Sequence, residues 1–125
     1  VSDLNEAIVV NLRKIPRDID LVVGVPRSGL LAANLMSLAM NTPLTDLNSF
    51  LDGREYTSGT TKPVRRLAHP SGRRKVLLLD DSISSGNAMR EVRQRIALAQ
   101  IDADVVYAAV YGIEDYHPEV DFVLE

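Results

Sequence analysis

Two adjacent carboxylates, Asp80 and Asp81, follow a short apolar run within the stretch VLLLDDSISSGNA, residues 76–88. The small and polar residues after them lead into a helical pattern near Asn87, so backbone N–H groups at a helix start are open to an anion such as phosphate. Carboxylates accept hydrogen bonds and the vicinal hydroxyls of a sugar donate them, while a nearby Mg²⁺ would offset the paired negative charges. The stretch therefore predicts a site for a 5-phosphorylated ribose, with the sugar diol on the two acids and the phosphate on the loop.

A second polar loop, PRSG at residues 26–29, follows another apolar run, LVVGV. Ligands gather at the carboxyl ends of the strands in an open parallel sheet, which would bring the two loops together. Apolar runs predict strands over residues 21–26, 43–47, 76–80, 104–112 and 121–125. Helical spacing predicts helices over 3–15, with Asp3 as the N-cap, over 28–40, apolar nearly all round and therefore deeply packed, and from about Asn87 to Ala99.

The alternation of apolar strands with helices indicates an α/β fold, a mostly parallel sheet of about five strands flanked by helices on both faces. A chain of 125 residues is expected to form a single domain over 1–125. A response-regulator receiver also has paired acids at the end of its first strand. That alternative fits poorly, because the receiver needs a downstream Lys and none follows Asp81.

The charges of the chain are unevenly distributed. The net charge is −3, yet seven of the fourteen Lys and Arg residues lie between Arg54 and Lys75. Residues 48–74 also fit neither the helical nor the strand period, which is typical of a lid or binding loop. A basic loop in an acidic protein suggests an anionic ligand and disfavours nucleic acid as a partner. No apolar run is long enough to span a membrane, and the absence of Cys fits a cytoplasmic protein.

The stretch VLLLDDSISSGNA closely resembles the phosphoribosyl-pyrophosphate (PRPP) signature of type I phosphoribosyltransferases: four apolar residues, two acids, then a loop of small residues. The stretch VVGVPRSG, residues 22–29, resembles the pyrophosphate loop of the same family, and residues 48–74 stand where the family has its mobile catalytic loop. The resemblance implies the type I phosphoribosyltransferase core, here with a small or missing hood. It implies an enzyme that transfers a 5-phosphoribosyl group from PRPP to an acceptor and releases pyrophosphate.

The resemblance also assigns roles to individual residues. Catalysis falls to Asp80, Asp81 and Arg27, and Mg²⁺ is held by the two acids, directly or through water. The PRPP-binding residues are Asp80, Asp81, Ser82, Ser84, Ser85, Gly86, Asn87, Ala88, Arg27, Ser28 and Gly29. Candidate cations of the mobile loop are Arg54, Lys62, Arg65 and Arg66. In this family the pyrophosphate loop often contains a cis peptide bond, which corresponds here to the bond between Pro26 and Arg27.

Two departures from the family pattern bear on the acceptor. Members that act on 6-oxopurines generally carry an acid three residues after the second Asp, where this chain has Ser84. They also place a Lys before a Pro-Asp-Phe-Val-like segment, where the stretch YHPEVDFV offers His117. Both departures weaken a role in purine salvage. The stretches GVPRSGLLAANL and DDSISSGNAM are similar to members found with polysaccharide biosynthesis, so a glycan acceptor is preferred over a pyrimidine-type base.

A rival interpretation is a PRPP-binding regulatory module without catalysis, since some regulators share this fold. Turnover of PRPP would separate the two. The acceptor's identity and the formation of a homodimer stay open at the level of the sequence.

Overall fold

The computed structural model describes residues 2–52, 74–114 and 116–125. Five strands form one sheet in the order β2-β1-β3-β4-β5, and every neighbouring pair is parallel. The strands are β1 Leu21–Gly24, β2 Leu44–Asp46, β3 Arg74–Ile83, β4 Ala103–Gly112 and β5 Phe122–Val123. The predicted α/β fold with a parallel five-stranded sheet is therefore confirmed.

The strands carry apolar side chains on both faces because helices cover both faces. Side chains alternate along a strand, so Val22 points to one side of the sheet and its neighbours Leu21 and Val23 to the other. The same alternation divides β3, where Leu77 and Leu79 join one buried cluster and Val76 and Leu78 the other. The long apolar run before the acids is thus explained by a central strand buried on both faces.

Within the described ranges, four α-helices form the two outer layers. The helices are α1 Ser2–Val10, α2 Gly29–Met40, α3 Leu47–Leu51 and α4 Asn87–Leu98. Helices α1 and α2 contribute to one buried cluster through residues such as Ile8 and Met36, and α3 and α4 to the other through residues such as Phe50 and Val92. No helix within the described ranges is long and apolar enough to cross a membrane.

The predicted helix over residues 3–15 was too long. Helix α1 ends at Val10, and a separate 3₁₀ turn occupies Leu12–Lys14. Because α1 begins at Ser2, Asp3 lies in its first turn and is not the N-cap. At that position its negative charge still faces the positive end of the helix dipole.

Helix α2 is not deeply packed on all sides, contrary to the prediction from its apolar sequence. Its buried side consists mainly of small residues and Met36, which lets the helix lie close to the sheet. Leu30, Leu31 and Leu38 are exposed. The apolar content of this helix therefore exceeds what its one buried face requires.

Strand β3 is longer than predicted and continues through both acids to Ile83, pairing with β4 as far as Gly112. Strand β1 ends earlier than predicted, at Gly24, and Val25 then donates a backbone hydrogen bond to Leu79 with an N···O distance of 3.1 Å. The two polar loops thus begin side by side at the carboxyl edge. Between β1 and β3 the chain turns to opposite sides of the sheet, which is the point where open α/β sheets bind ligands.

Candidate functional site

A pocket of about 250 Å³ lies at this carboxyl edge, between the loop after β1 and the end of β3. Its lining residues are Ser28, Asp80, Asp81, Ser82, Ile83, Ser84, Ser85, Gly86, Ala88 and Met89. We call it the donor pocket after the role that we propose for it. The fold therefore brings together the two loops that the sequence singled out, although they are about fifty residues apart in the chain.

The two acids are held by hydrogen bonds from their surroundings. The Ser28 hydroxyl donates to Oδ1 of Asp81 at 2.9 Å, and the backbone N–H of Asp81 donates to Oδ1 of Asp80 at 2.8 Å. Position 29 must be small for this arrangement, because a Cβ atom on Gly29 would lie 3.0 Å from both Oδ1 of Asp80 and the carbonyl oxygen of Leu79. The loop after β1 therefore fixes the carboxylates from one side.

The electrostatics of the site are dominated by the paired carboxyl groups. Burial, with a further contribution from the neighbouring carboxyl group of Asp81, raises the pKa of Asp80 to about 6 from its ordinary value of 3.8. The hydrogen bond from the Asp81 backbone opposes this shift but does not cancel it. The free protein thus keeps a carboxylate in a place where its charge is poorly solvated, as expected where a ligand or cation supplies the missing stabilisation.

The loop after β3 presents the start of helix α4 to the same pocket. Gly86 occupies the N-cap position with φ of 87° and offers no side chain to cap the helix. The hydroxyl of Ser85 accepts from the Asn87 backbone N–H at 3.3 Å. The first N–H groups of a helix have no hydrogen-bond partner within the helix itself. An anion here would interact with those N–H groups and with the positive end of a 12-residue helix.

Replacing Gly86 by Ala should destabilise the protein. A left-handed φ is costly for any residue with a Cβ atom, and the new Cβ would overlap Cε1 of His117. We expect the free energy of unfolding to fall by roughly 1–3 kcal/mol. Urea denaturation at pH 7.5 measures this. Ser84→Ala, two residues earlier in the exposed loop, serves as a control for a loop change that creates no overlap, and equal stability of the Gly86→Ala variant and the parent would contradict the expectation.

The structure places most of the predicted site residues on the donor pocket. Gly29 and Asn87 do not line the pocket: Gly29 lies against Asp80, and Asn87 is the first residue of α4. Arg27 is exposed in the loop after β1 and does not line the pocket. The peptide bond between Pro26 and Arg27 is cis, as the sequence predicted. The predicted loop cations Arg54, Lys62, Arg65 and Arg66 lie outside the described residues.

A second pocket, of about 180 Å³, adjoins the first, and we call it the acceptor pocket after the role that we propose for it. Its lining residues are Ile83, Ser84, Gly112, Ile113, Glu114, Tyr116 and His117. Ile83 and Ser84 line both pockets, so they stand where two bound molecules would meet. Sequence reasoning missed the contribution of Ile113 and Glu114. Both residues directly follow the predicted strand over 104–112, at the same edge of the sheet as the acids, and this position could have indicated them.

Comparison with known proteins identifies the fold that carries this site. A family described as "Phosphoribosyl transferase domain" matches residues 2–113, which is most of the chain. The chain belongs to the phosphoribosyltransferase family. No curated protein matches the phosphoribosyltransferase chain significantly at the level of sequence.

Several solved structures share the architecture. Xanthine-guanine-hypoxanthine phosphoribosyltransferase from Helicobacter pylori is 16% identical with a TM-score of 0.59, and the match covers 96% of this chain and 77% of that one. Orotate phosphoribosyltransferase from Aeropyrum pernix is 12% identical with a TM-score of 0.56, covering 90% and 71%. UMP synthase from Leishmania donovani is 19% identical with a TM-score of 0.56; the match covers 88% of this chain but only 26% of that one. At these identities the likeness concerns the fold.

Proposed function

We propose that this phosphoribosyltransferase binds PRPP in the donor pocket and transfers its 5-phosphoribosyl group to a small acceptor, with release of pyrophosphate. The observation that carries the proposal is the meeting of Asp80, Asp81, Ser28 and the start of α4 in one pocket. The two carboxylates would accept hydrogen bonds from the ribose diol, and the loop 84–88 would receive the 5-phosphate. The pyrophosphate would lie towards Arg27, Ser28 and Gly29.

The chemistry of such a transfer suits these residues. The bond between the anomeric carbon of ribose and the pyrophosphate oxygen breaks, and a bond from that carbon to the acceptor forms, while the acceptor loses its proton. Positive charge develops on the ribose ring as the leaving group departs. Carboxylates next to the diol stabilise that charge, and their effect is largest where water is excluded. The partial burial of Asp80 supports this role.

The residues of the pocket also fit a magnesium ion. No cluster of three or more metal-ligating side chains occurs in the described parts of the chain, so the protein itself offers the paired carboxylates of Asp80 and Asp81. Mg²⁺ is commonly held by one or two carboxylates together with water and substrate oxygens. When bound, it would neutralise charge on the departing pyrophosphate. The raised pKa of Asp80 indicates a carboxylate that a nearby cation would stabilise.

For the acceptor we propose a planar heterocycle of the nucleobase type. The acceptor pocket is small, and its lining includes the large side chains of Ile113 and Tyr116. The glycan acceptor favoured by the sequence has no support among the structural neighbours described above, whose names refer to bases, orotate or UMP. A purine or pyrimidine acceptor suits the small volume and the partly apolar lining of the pocket, and the departures at Ser84 and His117 favour a pyrimidine.

Pyrophosphate release tests this function directly. The protein is incubated with PRPP, Mg²⁺ and a panel of bases, small amines and glycans, and released pyrophosphate is measured. We expect release with at least one base and binding of PRPP in calorimetry. Binding of PRPP without release for any acceptor would favour the regulatory module, and a failure to bind PRPP would refute both interpretations.

A further inference from the structure

A short segment, residues 117–119, lies between the acceptor pocket and the loop 84–88, which we call the phosphate loop. Gly86 of this loop is buried, and a Cβ atom at its position would overlap the ring of His117 and lie 3.1 Å from Cγ of Glu119. His117 lines the acceptor pocket, and its Nδ1 accepts a hydrogen bond from the backbone N–H of Glu119 at 3.1 Å. The segment 117–119 therefore contacts both proposed binding sites.

Helix α4 is joined to this segment by the side chain of Arg90. Its Nη1 donates to Oδ1 of Asn87, the first residue of α4, at 2.8 Å, and its Nε donates to Oε1 of Glu119 at 3.3 Å. The Glu119 side chain is only 20% exposed, so the ion pair is partly shielded from water. One guanidinium group thus connects a residue of the phosphate loop with the segment 117–119.

The backbone beyond this segment is anchored in a different way. A guanidinium N–H of Arg93 donates to the Glu119 carbonyl oxygen at 3.2 Å, and the same group lies over the ring of Tyr107, 4.3 Å from its centre. The backbone N–H of Asp121 donates to the Tyr107 carbonyl oxygen at 2.7 Å. These contacts fasten the chain to β4 without involving the phosphate loop, whereas the contact through Arg90 has its other partner in that loop.

The position of Arg90 is unfavourable for a cation without a partner. The start of a helix carries partial positive charge, and α4 has no acidic residue in its first turn to offset a further positive charge. Glu119 supplies that negative charge from another part of the chain. A partly exposed ion pair contributes little to stability. The placement is therefore better explained by what Arg90 connects than by the stability that it adds.

We propose that Arg90 is a positioning residue for the transfer: through Asn87 and Glu119 it couples the phosphate loop to the acceptor pocket, so that a bound 5-phosphate strengthens the binding of the acceptor. The proposal rests on the proposed function, because the two ligands are those of that reaction. A phosphate held by the loop fixes the position of Asn87, and Arg90 transmits this constraint to Glu119. The acceptor then binds to a wall that is already held in place, so its binding costs less conformational entropy.

The coupling is measured first without any acceptor. Ribose 5-phosphate is titrated into the ¹⁵N-labelled protein, and the chemical-shift changes of the backbone amides are followed. In the parent we expect changes in the phosphate loop and also at His117 and Glu119. The double variant Arg90→Met/Glu119→Gln keeps both side-chain stems and the net charge but removes the ion pair. It should bind ribose 5-phosphate with similar affinity and show the response of the loop, while the response at His117 and Glu119 should be lost.

Two further variants test the specificity of this result. Arg90→Lys keeps a cation opposite Glu119 and should keep most of the response at residues 117 and 119. Arg95→Gln is the matched control, because Arg95 also lies on α4 but donates to Asn48 on α3 at 3.0 Å. A response at residues 117 and 119 that survives in the double variant, or is missing from the parent, would overturn the proposal. If neither ribose 5-phosphate nor PRPP bound to the parent, the proposed function itself would be refuted.

Calorimetry then measures the coupling with the base that supports pyrophosphate release. In the parent we expect ribose 5-phosphate to raise the affinity for this base roughly threefold to fivefold, which is what a partly exposed ion pair can supply. In the double variant the factor should be close to one, while the affinity for the base alone stays the same. A purely structural role of Arg90 would change stability or the separate affinities and leave this factor unchanged. An unchanged factor in the double variant would therefore contradict the proposal.

Discussion

Replacing Asp80 by Asn is expected to make the protein more stable and, at the same time, to remove most of its affinity for PRPP with Mg²⁺. The two effects have one cause. In the free protein the carboxylate is half-buried beside a second carboxyl group, and its pKa is raised to about 6. A neutral amide avoids that cost but also lacks the charge that the ligand needs. The oxygen of Asn can still accept the hydrogen bond from the Asp81 backbone.

The gain in stability has a definite dependence on pH. The pKa of Asp80 in the folded protein lies above the ordinary value of 3.8, so folding disfavours its charged form. The ionised carboxylate therefore lowers the free energy of unfolding at every pH above about 6. This cost diminishes as the pH falls from about 6 towards 3.8. At pH 7.5 we expect Asp80→Asn to raise the free energy of unfolding by roughly 1–2 kcal/mol, after discounting the shift for the solvent that still reaches the group. At pH 4.5 most of the difference should vanish.

The loss of affinity for PRPP should be the larger of the two effects. Hydrogen bonds to a charged group contribute about 1.5–3 kcal/mol each. Losing the carboxylate of Asp80 should therefore weaken the binding of Mg·PRPP about tenfold to a hundredfold. Urea denaturation and titration calorimetry on the same samples measure both effects. Asp81→Asn should also weaken binding. Glu91→Gln is the matched control, because Glu91 is exposed on α4 and lines neither pocket.

The two expectations, the gain in stability and the loss of affinity for Mg·PRPP, can be contradicted separately. Unchanged affinity for Mg·PRPP in both Asp variants would remove the ribose assignment of the donor pocket. A variant that lost stability at pH 7.5 would show that the charged form of Asp80 is already satisfied in the free protein, contrary to its raised pKa.

Much of the fold follows from local patterns in the sequence. Apolar runs such as that of β3 can be buried on both faces only in a sheet covered on both sides, and the spacing of Met89, Val92 and Ile96 leaves one buried face for α4. The convergence of the two loops follows in turn, because parallel strands end at one edge. These inferences require only the period of the hydrophobic residues and the direction of the strands.

Other features depend on contacts that no local pattern records. Helix α3 begins after Asp46, whose side chain accepts a hydrogen bond from the Ser49 backbone N–H at 2.7 Å. The helix is only five residues long, which is too short for a helical pattern to be recognised in the sequence. The Arg90–Glu119 ion pair joins residues on different elements. The ring of His117 lies against Gly86 in a loop that is distant in the sequence. Such pairings arise from tertiary packing, so they become visible only in three dimensions.

Hypoxanthine and guanine are expected to be poor acceptors, although a xanthine-guanine-hypoxanthine enzyme shares the fold. A 6-oxopurine must lose a ring proton as its nitrogen attacks the ribose carbon, so a base is needed where acceptor and donor meet. That junction is lined by Ile83 and Ser84, and neither side chain is a base at neutral pH. Glu114 lines only the acceptor pocket and is exposed. The missing base should lower the rate by roughly 10²–10⁴-fold relative to an enzyme that has one.

Introducing a carboxylate where the two pockets meet tests this expectation through a gain of activity. Ser84→Asp would place a base beside the reacting nitrogen while leaving Asp80, Asp81 and the start of α4 in place. With hypoxanthine and PRPP, we expect its kcat/KM to exceed that of the parent by roughly tenfold or more, while Ser84→Ala, which adds no base and removes one hydroxyl from the phosphate loop, should show no such gain. Binding of hypoxanthine should differ little between the two variants, since neither substitution changes Ile113 or Tyr116 of the acceptor pocket. Turnover of hypoxanthine or guanine by the parent at ordinary enzyme rates would contradict the argument, because the proton would then have to leave through a group other than the residue at position 84.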